Sequence, residues 1–453
     1  MGAEMPERGG IGRGGGPDLR RKGRGEGLAP SRGPYSQNQR DGSIPLRGAH
    51  DVIPGNRESS MFWYFVVFTA LLMLSLVEGG VRSRWPGYAC GVILALMAGL
   101  RYETGFDWAD YERHFILSPP FGATNIYASI TTITVEPGYE LLTRVLRTLG
   151  ADFQIMIFIC GVFSVWALVR LTARFSPLIG VVLLWYYGFL FLPGPLATMR
   201  QTLSVAFVYL AIVDLNDKRW ARAAAWSAIA LSLHTFSLIF ILIELGRWWR
   251  PTLRAAAGTA LLGFALSTAG NNLFVSIADF VAAAAGAGFL ADKMQVYSSF
   301  AGANISPLSV ALVLWHLGFI WIVRRKDKKE DYIISAALAS AFWIILLHSL
   351  FAPLPILWNR FMLVCFPLEA IALCRLYCVE LSNFEKRMQA VALAAIGSAL
   401  ALVYTLLNEQ SLVYEPYQNV VVTWVRGPYG DGRGRYEYIR QLNDRIFQVQ
   451  RVR

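Results

Sequence analysis

Charge is what this chain has least of: Asp, Glu, Lys and Arg supply 16% of its 453 residues, against 55% hydrophobic residues. Soluble domains carry roughly a quarter charged residues, so the deficit excludes an ordinary water-soluble domain and makes lipid the expected solvent. Cysteine is also sparse. Cys90, Cys160, Cys365, Cys374 and Cys378 all sit in or at the ends of apolar runs, without the paired loop spacing of a disulfide framework or a zinc site. No Walker A loop, GxGxxG turn or DxD-like acid pair occurs, which disfavours an ATP-driven machine and leaves no metal or cofactor expected. The first 60 residues lack the apolar h-region and cleavage site of a signal peptide.

Aromatic residues, by contrast, are abundant, with 14 Trp, 19 Tyr and 27 Phe. Many flank apolar runs, as in Trp185-Tyr186-Tyr187 and Trp248-Trp249, where a membrane-interface belt is expected. The net charge of +11 would suggest nucleic acid in a soluble protein. Here the basic residues lie in short loops between apolar runs, the positive-inside pattern, so no nucleic-acid partner is expected.

Residues 1–60 are rich in Gly, Arg and Pro, have no apolar periodicity, and are expected to be disordered. Met61 opens directly into the apolar run FWYFVVFTALLMLSLVEGG. Further runs of spanning length cover about 86–101, 153–170, 177–194, 198–215, 255–272, 307–323, 332–351, 361–379 and 388–407. The stretch 219–250 is basic at both ends with His234 in the middle, and reads as two half-length helices meeting at that histidine, with one tilted span as the competing reading. The expected fold is therefore all-α, a polytopic transmembrane bundle of roughly ten or eleven spans with a broken helix pair at 219–250. The division is a disordered tail at 1–60, a transmembrane domain at 61–407 and a basic tail at 408–453.

Basic turns orient the bundle. Arg82/Arg84, Arg170/Arg174, Lys218/Arg219/Arg222, Arg247/Arg250/Arg254, the run from Arg324 to Lys329, and Lys386/Arg387 all face the cytoplasm in one alternating arrangement. The outer segments are then 102–152, 193–197, 273–306, 352–360 and everything after 407. Met61 also starts outside, although the tail before it carries ten Lys/Arg against seven Asp/Glu; translation from Met61 would remove that conflict.

The outer segments hold the polar residues that packing does not require. GLRYETGFDWADYERHF places Arg101, Glu103, Asp107, Asp110, Glu112 and His114 just past a span, with Gly105 permitting a turn. Glu136-Pro137-Gly138-Tyr139 leads into the amphipathic stretch YELLTRVLRTLG, suited to the membrane surface. Arg200 and Gln201 lie inside the apolar start of a span, His234 at the helix break, and Arg360 at the outer end of another span. Each has a bland reading: snorkelling for Arg200 and Arg360, packing for His234, solvated loop acids for Asp107 and Asp110, and a turn for Glu136. Intramembrane ionisable residues are nonetheless functional candidates by default. Arginine forks suit phosphate or diphosphate oxygens held without metal, and acids or histidine can take a proton from an attacking hydroxyl.

On these residues the chain resembles the EpsG family, related in role to Wzy-type exopolysaccharide and O-antigen polymerases. The resemblance runs through LRYETGFDWADYERHF (100–115), EPGYELL (136–142), MRQTLSVAFVYLAI (199–212), LSLHTFSLIFIL (231–242) and WNRFMLVCF (358–366), with a weaker EPY at 415–417. It implies polymerisation of undecaprenyl-diphosphate-linked oligosaccharide repeat units at the outer face of the bacterial inner membrane, among other polysaccharide-assembly proteins. Arg101 with Glu103, Arg200-Gln201, His234 and Arg360 carry over as site positions. Arg200 and Arg360 would hold the diphosphate, with Arg101 in support or paired to an acid; His234, or alternatively Asp107 or Glu136, would be the base. A transporter or flippase of lipid-linked sugars, an O-antigen ligase, an acyltransferase and an assembly scaffold are the rival readings. The family also starts near the first span, in keeping with a start at Met61, and lacks a basic ending like 426–453.

Overall fold

The computed structural model describes residues 57–123, 135–269, 307–326, 331–352, 355–377, 380–427 and 431–452. Among them every regular element is a helix: α1 (Arg57–Val81), α2 (Trp85–Gly99), α3 (Trp108–Leu117), α4 (Pro137–Thr148), α5 (Phe153–Phe175), α6 (Ile179–Tyr186), α7 (Met199–Asn216), α8 (Trp220–Leu233), α9 (Ile239–Trp249), α10 (Leu253–Ala269), α11 (Pro307–Lys326), α12 (Tyr332–Leu350), α13 (Pro355–Leu376), α14 (Phe384–Leu407), α15 (Val420–Arg426) and α16 (Gly432–Val452). The expected disordered tail, apart from the residues that begin α1, and the outer segment at 273–306 lie outside the described residues.

Among the described residues, five helices are long and apolar enough to cross a membrane: α1 from Met61, α5, α11 from Leu308, α12 and α14. Trp85–Gly99, Ile179–Phe191 and Leu253–Ser267 are apolar but shorter. Of the expected ten or eleven spans, five are of full length among the described residues, and other runs there form helices that are shorter or carry charge. The run at 177–194 shows why: α6 gives way to a π-turn at Tyr187–Phe191 and then to non-helical backbone. The expected break at 219–250 is present. His234 is extended (φ −161°, ψ 127°) between α8 and a 3-10 turn at Thr235–Leu238 that feeds α9. An apolar cavity of about 130 Å³ adjoins that turn, lined by Val208 of α7, Ser227, Ala230 and Leu231 of α8, Ser237, and Phe240 of α9.

The core forms where α1, α2, α5, α6, α7, α12 and α13 pack on one another. Burial of Ile, Leu, Val, Ala and Phe does not by itself drive helices together in lipid, so polar ties between helices matter more here than in water. Glu78 of α1, 1% exposed, caps α6 from outside: Ile179 N–H donates to one carboxylate oxygen (3.0 Å) and Gly180 N–H to the other (2.6 Å). His316 Nδ1 of α11 lies 2.6 Å from Glu369 Oε1 of α13, and Trp315 Nε1 donates to Glu369 Oε2 (2.9 Å). Composition had not singled out these pairs, because each partner sits alone in its own apolar run.

Chain direction sorts the helix ends. The basic turns Arg82/Arg84, Arg174, Arg219/Arg222 and Arg247/Arg250 fall at one set of ends. The opposite ends carry Arg101, Asp152, Arg200, the His234 break and Arg360. The residues after 407, read from sequence as a basic tail, are folded: a 3-10 turn at Glu409–Tyr414, then α15 and α16.

Candidate functional site

Five separate stretches converge at that opposite end. Glu136 precedes Pro137, which starts α4 with no intrahelical donor to lose. Its Oε2 lies 2.8 Å from Arg200 Nη1, in the first turn of α7, with side chains only 11% and 18% exposed. The other oxygen, Oε1, accepts from Thr235 N–H (3.4 Å) and Thr235 Oγ1 (3.3 Å), immediately after the helix break. One carboxylate therefore joins α4, α7 and the α8–α9 turn.

Arg200 faces a pair of adjoining phenol rings, with its guanidinium carbon 5.9 Å from the Tyr111 centroid and 5.7 Å from Tyr139, whose rings lie 5.9 Å from each other. Its Nε is buried and makes no hydrogen bond among the described residues, and neither does the hydroxyl of Tyr139. A buried arginine that spends a nitrogen on one carboxylate and leaves its Nε unspent is arranged to receive an anion. Tyr111, one turn after Asp107, donates its hydroxyl to Asp107 Oδ2 (3.2 Å). Burial raises the Asp107 carboxyl above the usual carboxylate range, opposed by the charges of Arg360 and Arg200 and by the Tyr111 hydrogen bond. Burial likewise raises the Tyr111 and Tyr139 phenols, which stay protonated donors.

Arg360 lies in the second turn of α13, near the outer end of that helix, which begins at Pro355. Gln201 Nε2, on a side chain packed inside the bundle, donates to the Arg360 carbonyl (2.8 Å) and so registers α7 against α13. The Arg360 guanidinium sits over Phe236 at 5.1 Å from the ring centroid, and Phe236 also lies 5.4 Å from the His234 ring. His234 Nδ1 accepts from Phe236 N–H (3.1 Å), which in the neutral ring puts the proton on Nε2.

Two expected site residues have further ties, and the Arg101 Nε, like that of Arg200, is buried with no hydrogen bond among the described residues. Arg101 is buried and donates from Nη1 to the Leu196 carbonyl, tying the end of α2 to the turn that precedes α7. Glu103 turns toward Arg433 of α16, Oε1 to Nε 3.7 Å. Just after them Gly105 has φ +110°, and a Cβ there would stand on the Leu196 carbonyl oxygen. Gly105→Ala is expected to abolish stable folded protein, visible as loss of the monodisperse peak after detergent extraction; wild-type recovery would contradict it. Tyr111, Tyr139 and Thr235 were missed as site residues. Helical spacing from Asp107 to Tyr111 and from Glu136 to Tyr139 was the signal that could have found both tyrosines. His114, from the same acidic stretch, pairs with Glu140 (2.9 Å) and Ser118 (3.3 Å); burial lowers its pKa, the Glu140 carboxylate opposes that and the Arg200 charge adds to it.

Residues 84–419, which contain every one of these site positions, match the EpsG family. The chain belongs to the EpsG family. Among curated proteins and among solved structures nothing matches it. The EpsG match ends at residue 419, immediately before α15, so α15 and α16 lie beyond it. The family is membrane-associated and of exopolysaccharide-polymerase type, in keeping with the five span-length helices.

Proposed function

We propose that this EpsG-family chain is a membrane glycosyltransferase that joins undecaprenyl-diphosphate-linked oligosaccharide repeat units at the outer face of the bacterial inner membrane. The observation that carries the reading is Arg200, ion-paired to Glu136 with its buried Nε unspent, close to Arg360 at the end of the bundle opposite the basic turns. In the reaction, the anomeric C–O bond to the donor's diphosphate breaks as the acceptor hydroxyl forms a new C–O bond to the same carbon. The hydroxyl proton passes to a protein base, and the departing lipid diphosphate carries away the bonding electron pair. Arg200 and Arg360 take the diphosphate oxygens and neutralise the charge that grows on them.

The hydrogen bonds divide the three candidate bases. Glu136 is spent on Arg200 and Thr235 and acts as the arginine's holder. His234 has its Nδ1 lone pair occupied, so Nε2–H is a donor suited to a phosphate or sugar oxygen. Asp107, with its raised basicity and one modest hydrogen bond, is the base.

The purified chain in proteoliposomes, given a defined undecaprenyl-diphosphate oligosaccharide, is expected to release undecaprenyl diphosphate and yield a ladder of polymer. Translocation of intact substrate with no ladder would support the transporter reading and defeat this one.

A further inference from the structure

Helix α3 is ten residues long, and its N-cap Asp107 makes no side-chain capping bond. Helices this short are marginal unless tertiary contacts hold them. The loop that leads into it passes through Glu103 at φ +42°, a left-handed conformation that non-glycine residues seldom adopt. Both features need support from elsewhere, and α16 supplies it.

Arg433 Nη2 lies 2.6 Å from Glu112 Oε2, and its guanidinium carbon is 5.5 Å from the centroid of the Trp108 ring. Tyr436 donates its hydroxyl to Asp110 Oδ2 (2.8 Å) and meets Trp108 edge to face at 6.3 Å. Arg435, 1% exposed, donates to the carbonyls of Pro416 (3.0 Å) and Glu103 (3.3 Å), fixing the left-handed residue itself. Gly432 makes the approach possible, since a Cβ there would stand 2.4 Å from the Glu103 Cβ. The acids of 103–112 thus meet a basic and aromatic helix start, while Asp107 and Tyr111 of the same segment turn toward Arg200.

We infer that α16, although it lies beyond the family match, is a clamp on α3, with Arg433 and Tyr436 as positioning residues that hold Asp107 and Tyr111 against Arg200. The functional part of this inference rests on the proposed polymerase reading. Losing Arg433 removes its ion pair with Glu112, and reversing it sets an acid beside Glu103 and Glu112. The segment then loosens, and the base moves away from the arginine that orients the donor.

The test uses full-length protein in proteoliposomes with the defined lipid-linked oligosaccharide, together with hydrogen exchange of the α3 amides. Arg433→Glu is expected to speed α3 exchange and lower turnover about tenfold, more than the loss of one exposed ion pair because repulsion replaces attraction. Glu112→Arg is expected to do the same, and the charge-swapped pair Arg433→Glu/Glu112→Arg to recover most of the rate and the protection. Tyr436→Phe, which removes one hydroxyl, is expected to cost about threefold. Unchanged α3 exchange in Arg433→Glu, or a swap no better than either single variant, would overturn the clamp. If the wild type makes no polymer but Arg433→Glu still exposes α3, the clamp stands and the polymerase reading falls.

Discussion

Arg200→Ala is expected to eliminate polymer formation, with turnover down at least about a hundredfold, the usual consequence of removing a charged donor to a developing anion. The same change strands Glu136, which is 11% exposed and keeps only the long contacts to Thr235. An unpaired buried carboxylate costs about 3 kcal/mol, so part of any loss in cells will be lost protein. Two further variants separate the effects. Arg200→Ala/Glu136→Gln removes the stranded charge and is expected to restore thermal stability in detergent while leaving the chain inactive. Arg200→Lys keeps a positive charge but loses the planar fork that reaches Glu136 and a diphosphate together, and is expected to remain about tenfold or more below wild type. Near-normal polymer length from Arg200→Ala would rule out the assignment of the diphosphate to this residue.

The second large effect is expected at Asp107. Asp107→Asn keeps the shape and removes the base, with an expected loss of about 10² to 10⁴ in turnover. Its pH dependence distinguishes it from the other candidates. A base works in its deprotonated form, and burial raises the Asp107 carboxyl, so activity should fall on the acid side at a higher pH than an ordinary carboxylate would give. Arg360 is the largest electrostatic influence that lowers this carboxyl, with Arg200 acting in the same sense and Asp110 against it. Arg360→Gln therefore removes stabilisation of the ionised form, and the acid limb should move to still higher pH, beyond any overall loss of rate. Glu136→Gln should lower the rate without moving that limb. A profile of kcat/KM against pH in which Glu136→Gln moves the limb and Asp107→Asn does not would transfer the base to Glu136.

Much of the site was readable one residue at a time because each member breaks a local rule. Arg200 and Gln201 interrupt an apolar run, His234 sits midway between two basic turns, and the acids at 103–112 crowd a short loop. Their shared end of the bundle followed from the positive-inside pattern, and the break at His234 followed from basic residues at both ends of 219–250. The tyrosines were harder to see. An aromatic residue in a membrane protein is ordinary, and Tyr111 and Tyr139 gain meaning only when both rings face one guanidinium.

Composition and periodicity by themselves determined that this chain is an all-helical membrane protein with a cluster of ionisable residues at one end. Scarce charge and long apolar runs admit no other class in lipid, where backbone groups must be paired within each helix. Only the tertiary structure decided which charges are partners. Glu136 holds Arg200, Arg101 bonds the Leu196 carbonyl from one nitrogen, and Glu103 faces Arg433 of the C-terminal helix. It also brought the C-terminal helix onto the segment 103–112 and placed a π-turn at Tyr187–Phe191 within one apolar run. Such pairings join residues tens to hundreds of positions apart, and local sequence records a side chain's chemistry but not the direction from which its partner arrives.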